Sequence, residues 1–443
     1  MNEPIVNVGI LTSQQIKLNI LGLYTSPNFP GEFSGEVLVT YENNLITFQS
    51  EDYKYSTRKP IELEPDEFYN DTFLVRDVHI GKEFHWERSK DLRFLGSIKL
   101  IIQEDQVTLI NIVPIETYLL SVVSSEMNAN ASEEFLKCSA VISRSWLLAQ
   151  MRSKNELEDQ PNLSNNRENE IIRWYNREDH KDFDVCADDH CQRYQGFRNI
   201  KINVAAEAVK FTRGLVLMHD LDICDARFSK CCGGITESYE NVWDDKHVPY
   251  LKGIVDYKFS DEGFDINLES ESATTAWIEN NPPAFCDIVD EDILEKIMVD
   301  FDLKTKNFFR WEVNYSNEEI ATLLFEKTGI EFGKIVDLIP IKRGKSGRLV
   351  KLKIVGSKET VTFGKELEIR KILSKTHLLS SAFIIIKGET TDGIPKEFTL
   401  KGGGWGHGVG LCQIGAAVMG ERGYQFDEIL LHYYSDAAIV KYY

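Results

Sequence analysis

Two cysteines and two histidines fall close together in one polar stretch, at His180, Cys186, His190 and Cys191. Thiolate sulfur and imidazole nitrogen are the ligands that zinc takes in tetrahedral sites. The spacing His180-x5-Cys186-x4-Cys191 makes those three residues the expected ligands, with the fourth place going to water or to a thiolate of Cys231 or Cys232. It is looser than C-x2-C, so a Cys186–Cys191 disulfide and a pair of buried thiols remain as alternatives. The other cysteines are Cys138, Cys224, Cys286 and Cys412, and a chain of 443 residues needs no disulfides to hold its core.

A second concentration of unusual residues lies near the C-terminus, in Gly404-Trp-Gly-His-Gly-Val-Gly-Leu-Cys-Gln-Ile-Gly. Between a strand and a helix such glycines suggest a dinucleotide loop, but the pattern G-x-G-x-x-G fails in every register: His407, Val409, Leu411 or Gln413 stands where the last glycine is required. Alternating glycines instead allow close backbone approach to a neighbouring segment or to a sugar ring. His407 is expected to bond either substrate or the loop around Glu126, the plainer alternative being a packed turn with a satisfied imidazole. Trp243, Tyr250, Trp405 and Tyr433 are candidate sugar-stacking surfaces, although most aromatic residues belong to cores.

Several elements must position these groups. Residues 1–110 read as β-rich, with Gly35-Glu-Val-Leu-Val-Thr-Tyr and Leu45-Ile-Thr-Phe as strands across a Glu-Asn-Asn turn, and Ser97–Ile102 with Val107–Val113 as a second pair. A helix follows Ser132, a good N-cap with Glu133 and Glu134 in its first turn; Phe135, Cys138, Ile142, Trp146 and Ala149 mark its buried face. Lys137, Val141 and Arg144 form another stripe, either a solvated face or an anion or sugar contact. Residues 151–182 read as a polar surface excursion and 260–300 as an acidic stretch. A short helix is expected from Ser316 to Gly329, then two or three strands around Arg348-Leu-Val-Lys-Leu-Lys-Ile-Val, and a last helix from about Cys412 to Met419. The fold class is α+β: mixed β-sheets, a β-rich N-terminal domain (1–110), a core in two parts (111–260 and 390–443) and an inserted α/β segment (261–389).

Fifty Lys and Arg against seventy Asp and Glu give a net charge of −20, which opposes binding to nucleic acid or anionic lipid. Apolar runs such as Ala382-Phe383-Ile384-Ile385-Ile386 are too short to be a transmembrane segment. The opening Met-Asn-Glu-Pro-Ile lacks a basic n-region and an apolar h-region, so the expectation is a cytoplasmic chain or one whose leader has been removed.

Three blocks resemble the SpoIID/LytB family. The first is Val113-Pro-Ile-Glu-Thr-Tyr-Leu-Leu-Ser-Val-Val-Ser-Ser-Glu-Met, continuing to Lys137 and Ala140-Val-Ile-Ser-Arg-Ser-Trp. The second runs from Cys186-Ala-Asp-Asp-His-Cys-Gln-Arg-Tyr-Gln-Gly through Gly233-Gly-Ile-Thr-Glu to Val248-Pro-Tyr-Leu, and the third is the glycine block with Gln413. Residues 1–110 carry none of the resemblance. In two places the chain departs from the family: Ser229-Lys-Cys-Cys stands where the family has Ser-rich chemistry, and Cys412 stands where Ser precedes the Gln.

The resemblance implies a peptidoglycan lytic transglycosylase. Cleaving a glycosidic bond requires a proton on the leaving oxygen, and hydrolysis normally adds a second carboxylate. A lytic transglycosylase manages with one glutamate, because the 6-hydroxyl of the sugar attacks. The resemblance places that acid at Glu126, among Leu119, Leu120, Val122, Val123 and Met127, which favour its protonated form; the following helix N-terminus, Lys137 and Arg144 oppose it. A glutamate at such a place is more often a cap or an ion-pair partner. The resemblance also implies a zinc near Cys186, and substrate contacts from Lys137, Arg144, Cys231, Cys232, Gly233, Gly234, His407 and Gln413, with Glu126, Cys231, Cys232 and His407 lining one groove. The partners implied are glycan strands and an amidase, the second reading being a non-catalytic wall-binding module that modulates that amidase. Such a substrate implies the cell envelope.

Overall fold

In a computed structural model, the described residues are 2–81, 87–128, 130–156, 165–167, 169–173, 180–188, 190–197, 204–258, 267–299, 302–305 and 307–443. Parts of the polar stretch 151–182 and of the acidic stretch 260–300 lie outside them. The fold is α+β, and the chain forms two compact units, one comprising Met1–Lys154, Asp179–Val216 and Val440–Tyr443, the other Asn155–Glu178 and Leu217–Ile439. The borders expected at 110 and 260 are not borders of these units.

Among the described residues, ten strands precede the first helix, all in the first unit. Glu32–Glu42 and Leu45–Gln49 pair antiparallel with Tyr41 opposite Ile46, and Asn43 and Asn44 take φ of 54° and 61° between them. Two consecutive left-handed residues make the hairpin turn whose twist suits flanking strands, and Asn tolerates that region. Ser97–Gln103 and Gln106–Pro114 repeat the device across Glu104 and Asp105, with φ of 47° and 57°. Along the first three of these strands alternate residues turn inward, burying Val37, Val39, Ile98 and Leu100, whereas Gln106–Pro114 is buried continuously over 107–111.

The strand Gln106–Pro114 leads directly into the helix Ile115–Glu126, whose Ile115, Tyr118, Leu119, Val122 and Val123 are fully buried. The next helix, Glu133–Glu156, starts where its cap was expected: Phe135 N–H donates to Ser132 Oγ at 3.4 Å. It extends past residue 151, and Glu170–Ile172 joins a sheet of the second unit beside Thr360–Gly364, so residues 151–182 are not wholly a surface excursion.

In the second unit, the antiparallel strands Ile335–Arg343, Leu349–Gly356 and Thr360–Gly364 carry one face of an apolar core. The helix Asn317–Thr328 covers it with Ile320 and Leu324. Phe398 and Leu400, on the strand Glu397–Gly403, complete the same core, so the packing continues across the border expected at 389. No helix among the described residues is long and apolar enough to cross a membrane.

Candidate functional site

Glu126 is the last residue of its helix and is half-buried, with the fully buried Val122, Val123 and Met127 about it in sequence. Its Oε1 accepts the Arg193 backbone N–H at 3.0 Å. The residues around Arg193 are themselves fixed. Tyr118 Oη donates to Gln192 Oε1 at 3.2 Å, and the Tyr194 ring stacks on Tyr118 with centroids 4.9 Å apart while its hydroxyl donates to Asn111 Oδ1. Cys191 comes two residues before Arg193. The segment that carries the cysteine ligand therefore also holds the glutamate.

His180, Cys186, His190 and Cys191 converge in this first unit, with one ligand atom of each lying within 4.8 Å of all the others. Cys191 Sγ stands 3.5 Å from His180 Nε2 and 3.5 Å from His190 Nδ1, and Cys186 Sγ stands 3.9 Å from His190 Nδ1. In a tetrahedral zinc site the edge between a thiolate and an imidazole nitrogen is about 3.6 Å, from bonds of about 2.3 and 2.0–2.1 Å. The four residues fit a metal. The Cys191 thiol pulls the Cys186 thiol far below its ordinary value, with the two imidazoles adding to the effect against burial; a thiolate is the form a metal requires. His190 is the fourth member of the cluster, where water, Cys231 or Cys232 was expected. Its adjacency to Cys191 was the available signal. Cys231 and Cys232 belong to the second unit.

The two cations expected on substrate are occupied within the first unit. Arg144 is fully buried: its Nε and Nη2 donate to the Glu116 carboxylate at 3.0 and 2.7 Å, and its Nη1 donates to the carbonyls of Ala140 and Leu215. Lys137 reaches Glu133 and Glu134 at 2.8 and 2.7 Å and lies 4.2 Å from the Phe211 ring centroid. Arg144 thus serves as an internal clamp.

In the second unit the glycine block and the Cys231–Gly234 turn do come together. Cys231 and Trp405 exchange both backbone hydrogen bonds at 2.9 and 2.7 Å, Phe228–Ser229 pairs parallel with Leu411–Cys412, and Glu237 N–H donates to Gly408 O. Gly404, Gly406, Gly408 and Gly410 all have positive φ, from 73° to 99°. A Cβ on Gly404 would stand 2.8 Å from Cys231 O, and one on Gly408 would strike the Arg348 guanidinium. The close approach these glycines permit is to their own protein. Gly233, at φ 79°, packs on the backbone of Gly403 and Gly404, Gly234 packs on Trp277, and Gln413 is buried at the start of the helix Gln413–Glu421.

His407 is half-buried, and its Nδ1 accepts Val409 N–H at 3.0 Å. Burial, then the charges of Arg227, Arg348 and Arg370, lower it to about 3. Of the aromatic candidates, Tyr433 is buried with its hydroxyl on Asp256, while Trp243 stacks edge-on to His407 at 5.2 Å. Glu126 falls in the first unit; Cys231, Cys232 and His407, expected in the same groove, fall in the second.

Residues 103–219, about a quarter of the chain, match the family described as Stage II sporulation protein. Residues 237–410 match a family described as a domain of unknown function (DUF8618). The chain is 24% identical over 246 residues to the amidase enhancer of Bacillus subtilis (strain 168), covering 53% of this chain but 32% of that protein. It is 27% identical over 352 residues to an uncharacterized protein of Brachyspira hyodysenteriae, covering 79% and 73%. It is 24% identical over 327 residues to the stage II sporulation protein D of Bacillus subtilis (strain 168), covering 74% of each. The chain thus spans about a third of the amidase enhancer and about three quarters of the other two.

Proposed function

We propose that this protein acts on the bacterial cell wall as a lytic transglycosylase with Glu126 as its single acid and base. The observation that carries this reading is the tie between Glu126 Oε1 and the Arg193 N–H, inside the family-matched residues and just beyond the Cys/His cluster. A carboxyl group set by a backbone donor is aimed rather than free to rotate, and orientation is a large part of what a general acid contributes. Protonated Glu126 gives its proton to the glycosidic oxygen as the bond to C1 breaks. The carboxylate so formed then takes the proton of the 6-hydroxyl as that oxygen bonds to C1, closing an anhydro ring and returning the acid to its starting state.

His180, Cys186, His190 and Cys191 would hold a zinc. Four protein ligands close a tetrahedral site, so the ion would supply structure, fixing the loop that carries Arg193. Its removal should loosen the grip on Glu126.

Full-length protein incubated with peptide-stripped glycan should release strands with anhydro-muramyl ends, read by mass spectrometry. Glu126→Gln should lower that rate by about 10²–10⁴ while glycan binding persists. Near-full activity in the variant would remove Glu126 from the mechanism. A wall-binding module that stimulates an amidase is the second reading, favoured by the relative named amidase enhancer. It predicts that the unsubstituted protein binds glycan, speeds an added amidase and makes no anhydro ends.

A further inference from the structure

The second unit contains another group of metal-type side chains, drawn from four separate places in the chain. Cys232, Asp256, Cys286 and Cys412 are all buried, and a ligand atom of each lies within 4.8 Å of the other three. Cys232 Sγ is 3.6 Å from Cys286 Sγ and 3.3 Å from Asp256 Oδ2. A disulfide would bring two sulfurs to about 2.0 Å. A tetrahedral zinc with bonds of about 2.3 Å to sulfur and 2.0–2.2 Å to oxygen sets edges of about 3.8 and 3.5 Å. The separations are those of a coordination tetrahedron.

The surroundings are arranged as such a site requires. Backbone N–H groups point at the sulfurs: Cys232 N–H donates to Cys412 Sγ at 3.2 Å, and Gly234 N–H to Cys232 Sγ at 3.3 Å. Donors aimed at sulfur and carboxylate fix first-sphere ligands and stabilise their charged forms. Asp256 is oriented at both oxygens, Oδ1 accepting the Tyr433 hydroxyl at 2.5 Å and Oδ2 the Cys286 N–H at 3.3 Å. Gly415 leaves room for it, since a Cβ there would stand 2.7 Å from Asp256 Oδ2. His432 Nε2, buried without a hydrogen-bond partner, lies 3.9 Å from Asp256 Oδ1. Three thiols and a carboxyl enclosed together have few ways to lower their energy: cross-link, stay protonated, or bind a soft cation.

We propose that Cys232, Cys286, Cys412 and Asp256 form a second, thiolate-rich zinc centre that staples the Cys231–Gly234 turn to the helix following the glycine block. With four protein ligands it is a closed structural site. It accounts for cysteine at 232 and 412 in a buried place where a hydroxyl would bind zinc poorly. The Cys231 thiol is also fully buried.

Elemental analysis of the full chain tests this, with the two centres separated by variants. Unsubstituted protein should hold about two zinc per chain, and Cys412→Ser and Cys186→Ser about one each. Retention by Cys412→Ser of the full metal content would overturn the proposal, as would a Cys232–Cys286 bond in a non-reducing peptide map. Should Cys412→Ser fail to fold, cobalt(II) reconstitution of Cys186→Ser replaces it. An intense thiolate-to-cobalt charge-transfer band is expected, and its absence refutes the centre. Loss of metal from Cys186→Ser alone, with Cys412→Ser unchanged, would place all the zinc in the first centre.

Discussion

His407 and Glu126 show how differently two candidate residues are held. Glu126 ends a helix with one oxygen on a backbone donor. His407 is enclosed, with Arg227, Arg348 and Arg370 near enough to keep it neutral down to about pH 3. An unfolded chain takes up that proton near pH 6.5. Between those values the unfolded state binds more protons, so the contribution of His407 is complete above about pH 6.5 and declines as pH falls toward 3, by roughly 1.4 kcal/mol per pH unit. Urea midpoints for the second unit should therefore drop more steeply between pH 7 and 4 in the unsubstituted protein than in His407→Gln. Parallel pH profiles would show that the imidazole is already protonated in the fold. An imidazole whose Nδ1 holds the Val409 N–H braces its own turn, as the plainer of the two readings of its glycine-flanked position would have it.

At the scale of elements, the glycine block behaves as a close-packed joint. A Cβ on Gly410 would overlap the Arg227 carbonyl, and at φ 73° any side chain is also strained. Gly423 has φ 88° but nothing within 4 Å of its Cβ position. Gly423→Ala should therefore cost only the left-handed conformation, about 1–2 kcal/mol. Gly410→Ala should cost several times that or prevent folding, as compared by thermal melts; equal costs would mean that the joint relaxes freely. Elements governed by local chemistry were legible in the sequence. Ser316 accepts Glu319 N–H while the Glu319 carboxylate accepts Ser316 N–H, and Gly329 ends the same helix at φ 71°, so both ends of 317–328 are set by nearby residues. The hairpin at Asn43-Asn44 is likewise local. Groupings of distant residues were not legible. Cys232, Asp256, Cys286 and Cys412 have no motif spacing, and only the fold brings them together. His190 was visible beside Cys191, but only the fold shows that its side chain joins the cluster. Arg144 read as a solvated cation or a sugar contact because helical spacing does not reveal which stripe a neighbouring segment will cover.

That covering segment belongs to the scale of the whole chain, which leaves the first unit after residue 154, returns at 179, leaves again after 216 and comes back for 440–443. One buried ion pair ties these passes together. Glu116 accepts from Arg144, from Gly214 N–H at 3.0 Å and from the Tyr443 hydroxyl, while Arg144 Nη1 reaches Leu215 O. Burial pushes the Glu116 carboxyl up, but the hydrogen bonds and charge of Arg144, joined by Tyr443 and Gly214, outweigh it and hold the group below its ordinary value. A depressed carboxyl stabilises the fold above the unfolded pKa, and the contribution is lost as pH falls through the folded one. The knot should therefore hold at neutral pH and fail in acid. Glu116→Ala strands a fully buried guanidinium and should cost the first unit about 3–5 kcal/mol. Glu116→Leu combined with Arg144→Met removes both charges and should recover much of that loss, because an apolar pair pays no desolvation. Equilibrium unfolding at pH 7 separates the outcomes. A double variant no more stable than Glu116→Ala would mean that the bonds to Gly214, Leu215 and Tyr443, rather than the charge pair, close the chain on itself.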